Sequence, residues 1–150
     1  MLMNKLDQYE IREQLYYDPV NHFWVDASGP FAVIGMTPLV QETSGSFVAI
    51  QVSPAGTVLS RHGNMGMAEA EKHVGPLKSP VSGTVRVINE GVLSNPRLIN
   101  EHPYDEGWLL EIELSDPTEL EAMITGKENI YNWFASELKR FNDKGWIAQP

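Results

Sequence analysis

A lysine flanked by an acid and a histidine lies in the middle of a charged, turn-rich segment. Glu71, Lys72 and His73 occupy the centre of this run between two predicted strands, and Glu69 stands three residues before the lysine. The pattern is typical of an exposed hairpin tip, where an amine is accessible to chemical modification. A solvated loop without chemistry explains the same residues, because short motifs often match by chance. The spacing leaves both interpretations open.

Other reactive groups are scarce in the sequence. The chain has no cysteine, which excludes disulfides, thiolate metal sites and a cysteine nucleophile. His22, His62 and His102 lie far apart, with no acidic ligand in helical register, so we expect no metal site. The sequence shows no nucleophile spaced to meet a base and no two carboxylates spaced to work together. We therefore expect no independent catalytic activity.

The composition bounds the partners and the size of the fold. The 150 residues include 20 acidic and 11 basic side chains, a formal net charge of −9, and nucleic acid binding needs the opposite balance. No run reaches the roughly 20 apolar residues of a membrane span, and the charged N-terminus lacks the apolar region of a signal peptide. We therefore expect one cytoplasmic domain over residues 1–150 that binds neither nucleic acid nor membranes.

Short apolar or alternating runs, bounded by Gly, Pro, Asn or Ser, predict strands in the middle of the chain. The runs cover residues 31–36, 47–52, 58–59, 81–88 and 108–114. Their spacing of roughly 8–12 residues is typical of a compact sandwich or barrel. The sequence thus predicts a mainly β (α+β) fold with helices at its ends.

Cap residues followed by proline predict two short helices. Thr37 begins one that ends at Gly45, and Asp116 begins one that ends at Gly126. A longer helix over residues 128–143 carries an apolar stripe at spacings of three and four, which is expected to pack on the sheet. A further amphipathic helix is predicted before Pro19, on Leu6, Tyr9, Ile11 and Leu15.

Five segments, in order and in spacing, resemble the H protein of the glycine cleavage system. They are residues 22–25 (HFWV), 32–37 (AVIGMT), 69–83 with the run SPVSG at its end, 95–109 and 114–117 (LSDP). The resemblance extends over residues 17–120, about two thirds of the chain. It implies a barrel-sandwich hybrid of two small antiparallel sheets, like a lipoyl domain, with a core at 17–126 and a helical extension at 127–150.

The resemblance also implies a cofactor. Lys72 matches the lysine that carries lipoate in amide linkage, and Glu69 matches an acid of the same motif. Lys78 matches a variable position, so Lys72 is the favoured site. A lysine suits this role because its long stem adds reach and acylation removes its charge. The protein would be a carrier without catalysis of its own, and linkage would raise the effective concentration of the arm at each partner.

The neighbours of Lys72 have two interpretations each. Glu69 and Glu71 either help the lipoate–protein ligase or lipoyl transferase to recognise the hairpin or are solvated acids, the second being preferred for Glu71. His73 either exchanges protons with the dithiol, as an imidazole can do near neutral pH, or faces solvent.

The chain departs from the family pattern where that pattern holds an amine. Phe23 and Pro76 replace a Glu and an Asp, and Asn21 and Thr43 stand at two further polar positions. A cationic amine adduct needs an anionic or hydrogen-bond-accepting partner when it leaves water. The changes fit an H-like branch, the lipoate-binding proteins of the heterodisulfide-reductase-like pathway of sulfur oxidation.

Three functions follow from these observations. The preferred one is a carrier of sulfur intermediates that works with a cytoplasmic heterodisulfide-reductase-like (Hdr-like) complex. The alternative is a glycine cleavage H protein, which carries the aminomethyl group between the P, T and L proteins. The third is an interaction module that is no longer lipoylated.

Overall fold

The computed structural model describes residues 9–146, and within them nine strands form two antiparallel sheets. The first sheet has the order β1 (Tyr16–Tyr17), β2 (Phe23–Ser28), β3 (Phe31–Met36), β9 (Leu110–Leu114), β8 (Gly83–Ile88) and β5 (Val58–Leu59). The second has the order β4 (Phe47–Val52), β6 (Asn64–Ala70) and β7 (Val74–Lys78). The hairpins β2–β3 and β6–β7 need only short connections, which turn residues supply, whereas β3 pairs with β9 from much later in the chain.

The two sheets enclose an apolar core without closing into a barrel. Ile34, Val85 and Ile112 of the first sheet and Ile50 and Leu77 of the second belong to one buried cluster. Each such side chain contributes roughly 1.5–3 kcal/mol when it leaves water. The predicted fold class, mainly β with two small antiparallel sheets, is confirmed.

Three predicted strands, at 31–36, 47–52 and 58–59, coincide with β3, β4 and β5. The runs at 81–88 and 108–114 begin two residues before β8 and β9. In the first of these, polar groups near Val81 bond to side chains: Ser79 Oγ donates to the Val81 carbonyl at 2.6 Å, and Ser82 Oγ accepts from the Arg61 amide at 2.8 Å. The chain therefore bends at Pro80 and Val81 before β8 begins.

Two predicted helix starts are wrong. Residues 9–15 contain turns and no helix, since the Arg12 amide donates to the Tyr17 hydroxyl at 3.2 Å; Leu6 lies outside the described residues. Thr37 does not cap a helix, because its hydroxyl lies 3.4 Å from His22 Nδ1. Helix α1 (Val40–Ser44) begins three residues later, after Leu39.

The cap at Asp116 is correct, and its carboxylate accepts from the Thr118 amide at 3.1 Å. The segment that follows is a 3₁₀ helix (Pro117–Ala122), which ends four residues before the predicted Gly126. Two short helices were not predicted, α2 (Glu90–Ser94) and α3 (Leu98–Glu101). Asn89 caps α2 by accepting from the Gly91 amide at 3.0 Å. Asparagine is also common in turns, so the sequence does not distinguish this cap from a turn.

The long C-terminal helix α4 (Lys127–Asp143) confirms the prediction for 128–143. Its stripe of Ile130, Phe134, Leu138 and Phe141 is buried in a second apolar cluster, with Tyr17, Trp24 and Tyr104. No helix in the described part of the chain is both long and apolar enough to cross a bilayer. The division into a core at 17–126 and an extension at 127–150 stays a prediction, and residues 147–150 lie outside the described range.

A charged residue shares the buried face of α4. Glu137 is 7% exposed, and its Oε1 lies 2.6 Å from His22 Nε2. Arg140 donates to the same carboxylate through Nε at 2.8 Å and Nη2 at 2.9 Å. Burial raises the pKa of Glu137, but hydrogen bonds from His22 and Arg140 outweigh it and hold the pKa at about 2. The ionised carboxylate only accepts, so His22 Nε2 carries the proton.

We expect Glu137→Gln to remove a specific part of the pH dependence of stability. The pKa of Glu137 lies below its usual 4.5 in the folded protein. The ionised carboxylate therefore contributes fully to the free energy of unfolding above pH 4.5, and this contribution is lost as the pH falls toward 2. The free energies of unfolding of the natural protein and the variant should differ by roughly 2–3 kcal/mol at pH 7 and converge near pH 2.

Chemical denaturation at a series of pH values measures this difference. The matched control is Asp143→Asn, on the same helix, whose carboxylate is exposed and bonds to Lys139 at 2.9 Å. The natural protein and the control should differ by less than about 1 kcal/mol at every pH, because an exposed ion pair contributes little to stability. A difference for Glu137→Gln that does not shrink between pH 7 and pH 2 would contradict the proposed strength of the buried ion pair.

Candidate functional site

Lys72 lies at the tip of the β6–β7 hairpin, as the sequence predicts. Strand β6 ends at Ala70 and β7 begins at Val74. The Ala70 amide donates to the His73 carbonyl at 2.8 Å and closes the turn. Glu71, Lys72 and His73 are all exposed, so the lysine side chain is accessible to an enzyme that modifies it.

The tip is tied to the turn that follows α1. The Lys72 amide donates to the Ser44 carbonyl at 3.0 Å, and the Glu71 amide donates to the Ser46 carbonyl at 3.0 Å. The Glu71 carboxylate accepts from the Ser46 amide at 2.8 Å, and this backbone hydrogen bond lowers the pKa of Glu71. Gly45 has a φ of 73°, which only glycine adopts without strain. These three bonds fix the base of the lysine arm.

Asn100 of α3 holds the same turn from its other side. Its Nδ2 donates to the Gly45 carbonyl at 3.0 Å, and its Oδ1 accepts from the Phe47 amide at 2.9 Å. Gln41 Nε2 donates to the Asn100 carbonyl at 2.8 Å. Sequence reasoning missed this role, because the only signal is an asparagine inside a short helix, where its propensity is poor.

A groove of about 740 Å³ opens beside Lys72. It lies between the hairpin, α1 and the end of α4, and Lys72 and His73 both line it. The Lys72 Nζ donates to the Glu42 carbonyl at 3.2 Å, which is an exposed contact that a modified side chain can leave. Much of the wall is apolar: Phe23, Met36, Val40, Phe47, Ala68, Leu77 and Phe141.

All four positions that depart from the family pattern line this groove. They are Asn21, Phe23, Thr43 and Pro76. Among the described residues, none that lines the groove is Asp or Glu. A cationic group brought into the groove would therefore meet no carboxylate in its wall.

Of the remaining predicted residues, His73 adjoins the groove and Glu69 does not. The His73 ring lies close to Gly75, where a Cβ would come within 2.9 Å of Nε2, so the glycine leaves room for the ring. Glu69 is exposed on β6 opposite Val74. Its side chain makes no hydrogen bond or ion pair within residues 9–146. His22 is buried against Glu137 and stacks on Trp133 with ring centroids 4.9 Å apart.

The sequence did not indicate that three further residues line the groove. Lys78 ends β7, Arg140 lies near the end of α4, and Trp146 follows that helix. The Arg140 guanidinium lies 5.0 Å from the Phe141 ring centroid and 5.8 Å from that of Trp146. An apolar stripe identifies the buried face of a helix but not which polar residue borders a neighbouring groove. No cluster of three or more potential metal ligands occurs in the part of the chain that is described.

Known proteins with similar sequences belong to one family. Residues 15–136 match the family model described as "Glycine cleavage H-protein". The chain is 37% identical over 112 residues to the glycine cleavage system H protein of Salinibacter ruber, covering 75% of this chain and 90% of that one. It is 34% identical over 127 residues to the mitochondrial H protein of Pisum sativum, covering 85% and 75%.

A solved structure supports the same fold. The crystal structure of a glycine cleavage system H protein from Mycobacterium marinum superposes with a TM-score of 0.70. Its sequence is 24% identical, and the match covers 86% of this chain and 99% of that one. The family predicted from five sequence segments is confirmed, and the chain belongs to the glycine cleavage H-protein family.

Proposed function

We propose that Lys72 carries lipoate in amide linkage and that the protein is a carrier whose arm visits the active sites of partner enzymes. The observation that supports this is the placement of Lys72, an exposed lysine on a hydrogen-bonded tip at the edge of a groove. Members of the family carry lipoate on a lysine and have no catalytic activity of their own. Lys78 is the rival, but it lies within β7 rather than at the tip.

The residues around Lys72 fit this group. The Lys72 side chain is solvent-exposed and borders an apolar wall that includes Val40 and Phe47, which suits the acyl chain and the ring of lipoate. When bound, lipoate supplies two sulfurs that accept and release a transferred group. The protein's own part is to hold the base of the arm through the bonds to Ser44 and Ser46. The groove offers the arm a site away from water.

The comparisons favour partners from glycine cleavage. The relatives described above are named as glycine cleavage H proteins, so the P, T and L proteins of that system are the first candidates. In this role the load, meaning the group attached to the sulfurs of the arm, would be the aminomethyl group.

A second candidate is favoured by the groove itself. Phe23 and Pro76 stand in its wall where the family pattern has acids. A sulfur species needs no carboxylate partner, so a carrier for an Hdr-like sulfur-oxidising complex tolerates both changes, whereas an ammonium group loses its counter-charge.

The three neighbours of Lys72 take different roles in this proposal. Glu71 braces the tip through its bond to Ser46. Glu69 is exposed and unengaged by the residues described, which suits recognition by the ligase or transferase that attaches lipoate. His73 lines the groove, where an imidazole can exchange protons with the dithiol.

Mass spectrometry of the protein from cells supplied with lipoate tests the attachment site. We expect one lipoyl group, mapped by peptide analysis to Lys72, and none on Lys72→Arg. The matched control Lys78→Arg should be lipoylated like the natural protein. Both variants should fold, with unfolding free energies within about 0.5 kcal/mol of the original, because the substituted side chains are exposed. An unmodified Lys72 in the presence of a competent ligase would leave only an interaction module.

Hydrogen exchange tests the brace at the tip. Glu71→Ala removes the acceptor of the Ser46 amide, so this amide should exchange roughly three- to ten-fold faster. Glu69→Ala, a neighbouring exposed acid on the same hairpin, is the control and should leave the exchange of Ser46 unchanged. Equal rates in all three proteins would show that the carboxylate does not hold the tip.

Loading by glycine decarboxylase separates the two candidate partners. We expect the lipoylated protein to accept the aminomethyl group at least about ten-fold more slowly than the Pisum sativum H protein, because the groove lacks an anionic partner. The double variant Phe23→Glu, Pro76→Asp should accept it faster than the natural chain. Loading of the natural chain as fast as the reference would support glycine cleavage and contradict the sulfur candidate.

A further inference from the structure

We propose that the groove beside Lys72 selects a load whose outer end is anionic, and that Arg140 and Lys78 make this selection. The inference rests on the proposed function, since it requires a lipoyl arm on Lys72. It concerns the chemistry of the load and assigns a binding role to the end of α4. The family model matches residues 15–136, so Arg140 and Trp146 lie beyond the matched range.

The charges in the wall of the groove have one sign. Its charged side chains are Lys72, Lys78 and Arg140, and within the described residues no acid lines it. Acylation removes the charge of Lys72, so two cations remain when the arm is loaded. An anionic end would be attracted to both, although the ion pair with Glu137 offsets part of the charge of Arg140, and an ammonium end would gain no counter-charge from the wall.

Arg140 is held ready for such a contact. Its Nε and Nη2 donate to the Glu137 carboxylate, and its guanidinium lies over the Phe141 ring. Nη1 takes no part in this ion pair, so its hydrogens remain available to donate to a ligand in the groove. A guanidinium already fixed by other contacts loses little conformational entropy when it binds.

Glu137 orients Arg140 without supplying a site for a cation. Its carboxylate is 7% exposed and already accepts three hydrogen bonds, two from Arg140 and one from His22. Glu137 does not line the groove, whereas Arg140 does. The acid therefore lies behind the cation, and an incoming group meets the cation first.

The apolar part of the wall strengthens the discrimination. Phe23, Pro76 and Trp146 line the groove together with the cations, and apolar walls reduce the water available to a bound ion. Electrostatic interactions grow as the local dielectric falls. An ammonium group would lose hydration here without gaining a counter-charge, and a carboxylate, sulfonate or persulfide anion would gain one.

Alkylation of the arm tests the sign of the preferred charge without knowing the natural load. After lipoylation is verified by mass, the arm is reduced and both thiols are alkylated with iodoacetate, iodoacetamide or 2-bromoethylamine. The chain has no cysteine, so only the arm carries thiols. The three products end in an anionic, a neutral or a cationic group of similar size.

Docking of the arm is measured by NMR, from the indole N–H signal of Trp146 and the amide signal of Gly145, since both residues line the groove. The ratio of docked to free arm should be at least about five-fold higher for the carboxymethyl than for the carbamoylmethyl arm, and lowest for the aminoethyl arm. About 0.5 M salt should reduce the preference. Equal docking of all three arms, or the strongest docking for the aminoethyl arm, would overturn the inference.

Two variants separate the sources of the preference. Arg140→Gln should remove most of the difference between the anionic and neutral arms, and Lys78→Gln should reduce it without involving the Glu137 ion pair. Arg86→Gln is the control, because Arg86 lies over Phe31 on the first sheet and does not line the groove. An unmodified Lys72 contradicts the proposed function before any alkylation, whereas a lipoylated arm without charge preference contradicts this inference alone.

Discussion

The buried carboxylate of Glu137 constrains how the C-terminal half of the molecule is arranged. An ionised carboxylate removed from water is tolerated only where donors satisfy it, and here His22 and Arg140 both donate to it. His22 stands just before β2, so its hydrogen bond to Glu137 ties α4 to the first sheet in one register. A shift of α4 by one residue would carry Arg140 along with the carboxylate but would separate it from His22. The position of the groove wall formed by the end of α4 follows from this requirement.

The attachment site depends on a different set of interactions. The hairpin tip is held by bonds to Ser44 and Ser46, and that turn is held by Asn100 of α3. None of these groups belongs to α4. Backbone groups alone make the bonds from the Glu71 and Lys72 amides, whereas the Glu71 and Asn100 side chains make others, so the shape of the tip depends on these two side chains and on the glycine with positive φ at position 45. Presentation of the lysine is thus separate from the part of the groove wall that α4 supplies.

Local sequence patterns predicted the elements whose structure depends on local chemistry. Strand β3 has turn residues at both ends and an apolar run between them, and it formed as expected. Thr37 carried an equally good local signal for a helix cap, but its side chain bonds to His22, fifteen residues earlier in the chain. In the segment before β1, which is not helical, the Arg12 amide donates to the Tyr17 hydroxyl. Where a tertiary partner competes for a polar group, the local pattern does not decide the outcome.

The same distinction explains which parts of the site were found from the sequence. Lys72 was identified by motif, and Phe23 and Pro76 by departure from it, because these residues lie in segments that match the family in order and spacing. Arg140 belongs to a helix whose apolar stripe predicts only which face is buried. Arg140 lies 68 residues after Lys72 in the sequence, and the periodicity of the helix does not indicate that it borders the same groove.

Because the bonds that hold the tip do not involve α4, a change in α4 would, in the proposed function, alter what the arm carries without altering how the arm is attached. An enzyme that modifies Lys72 would meet the hairpin and the turn after α1. The load would meet Phe23, Pro76 and the end of α4 only when the arm folds back. Specificity for the load would therefore be a difference in docking free energy between two positions of one arm, on which fixed charges in the wall act directly.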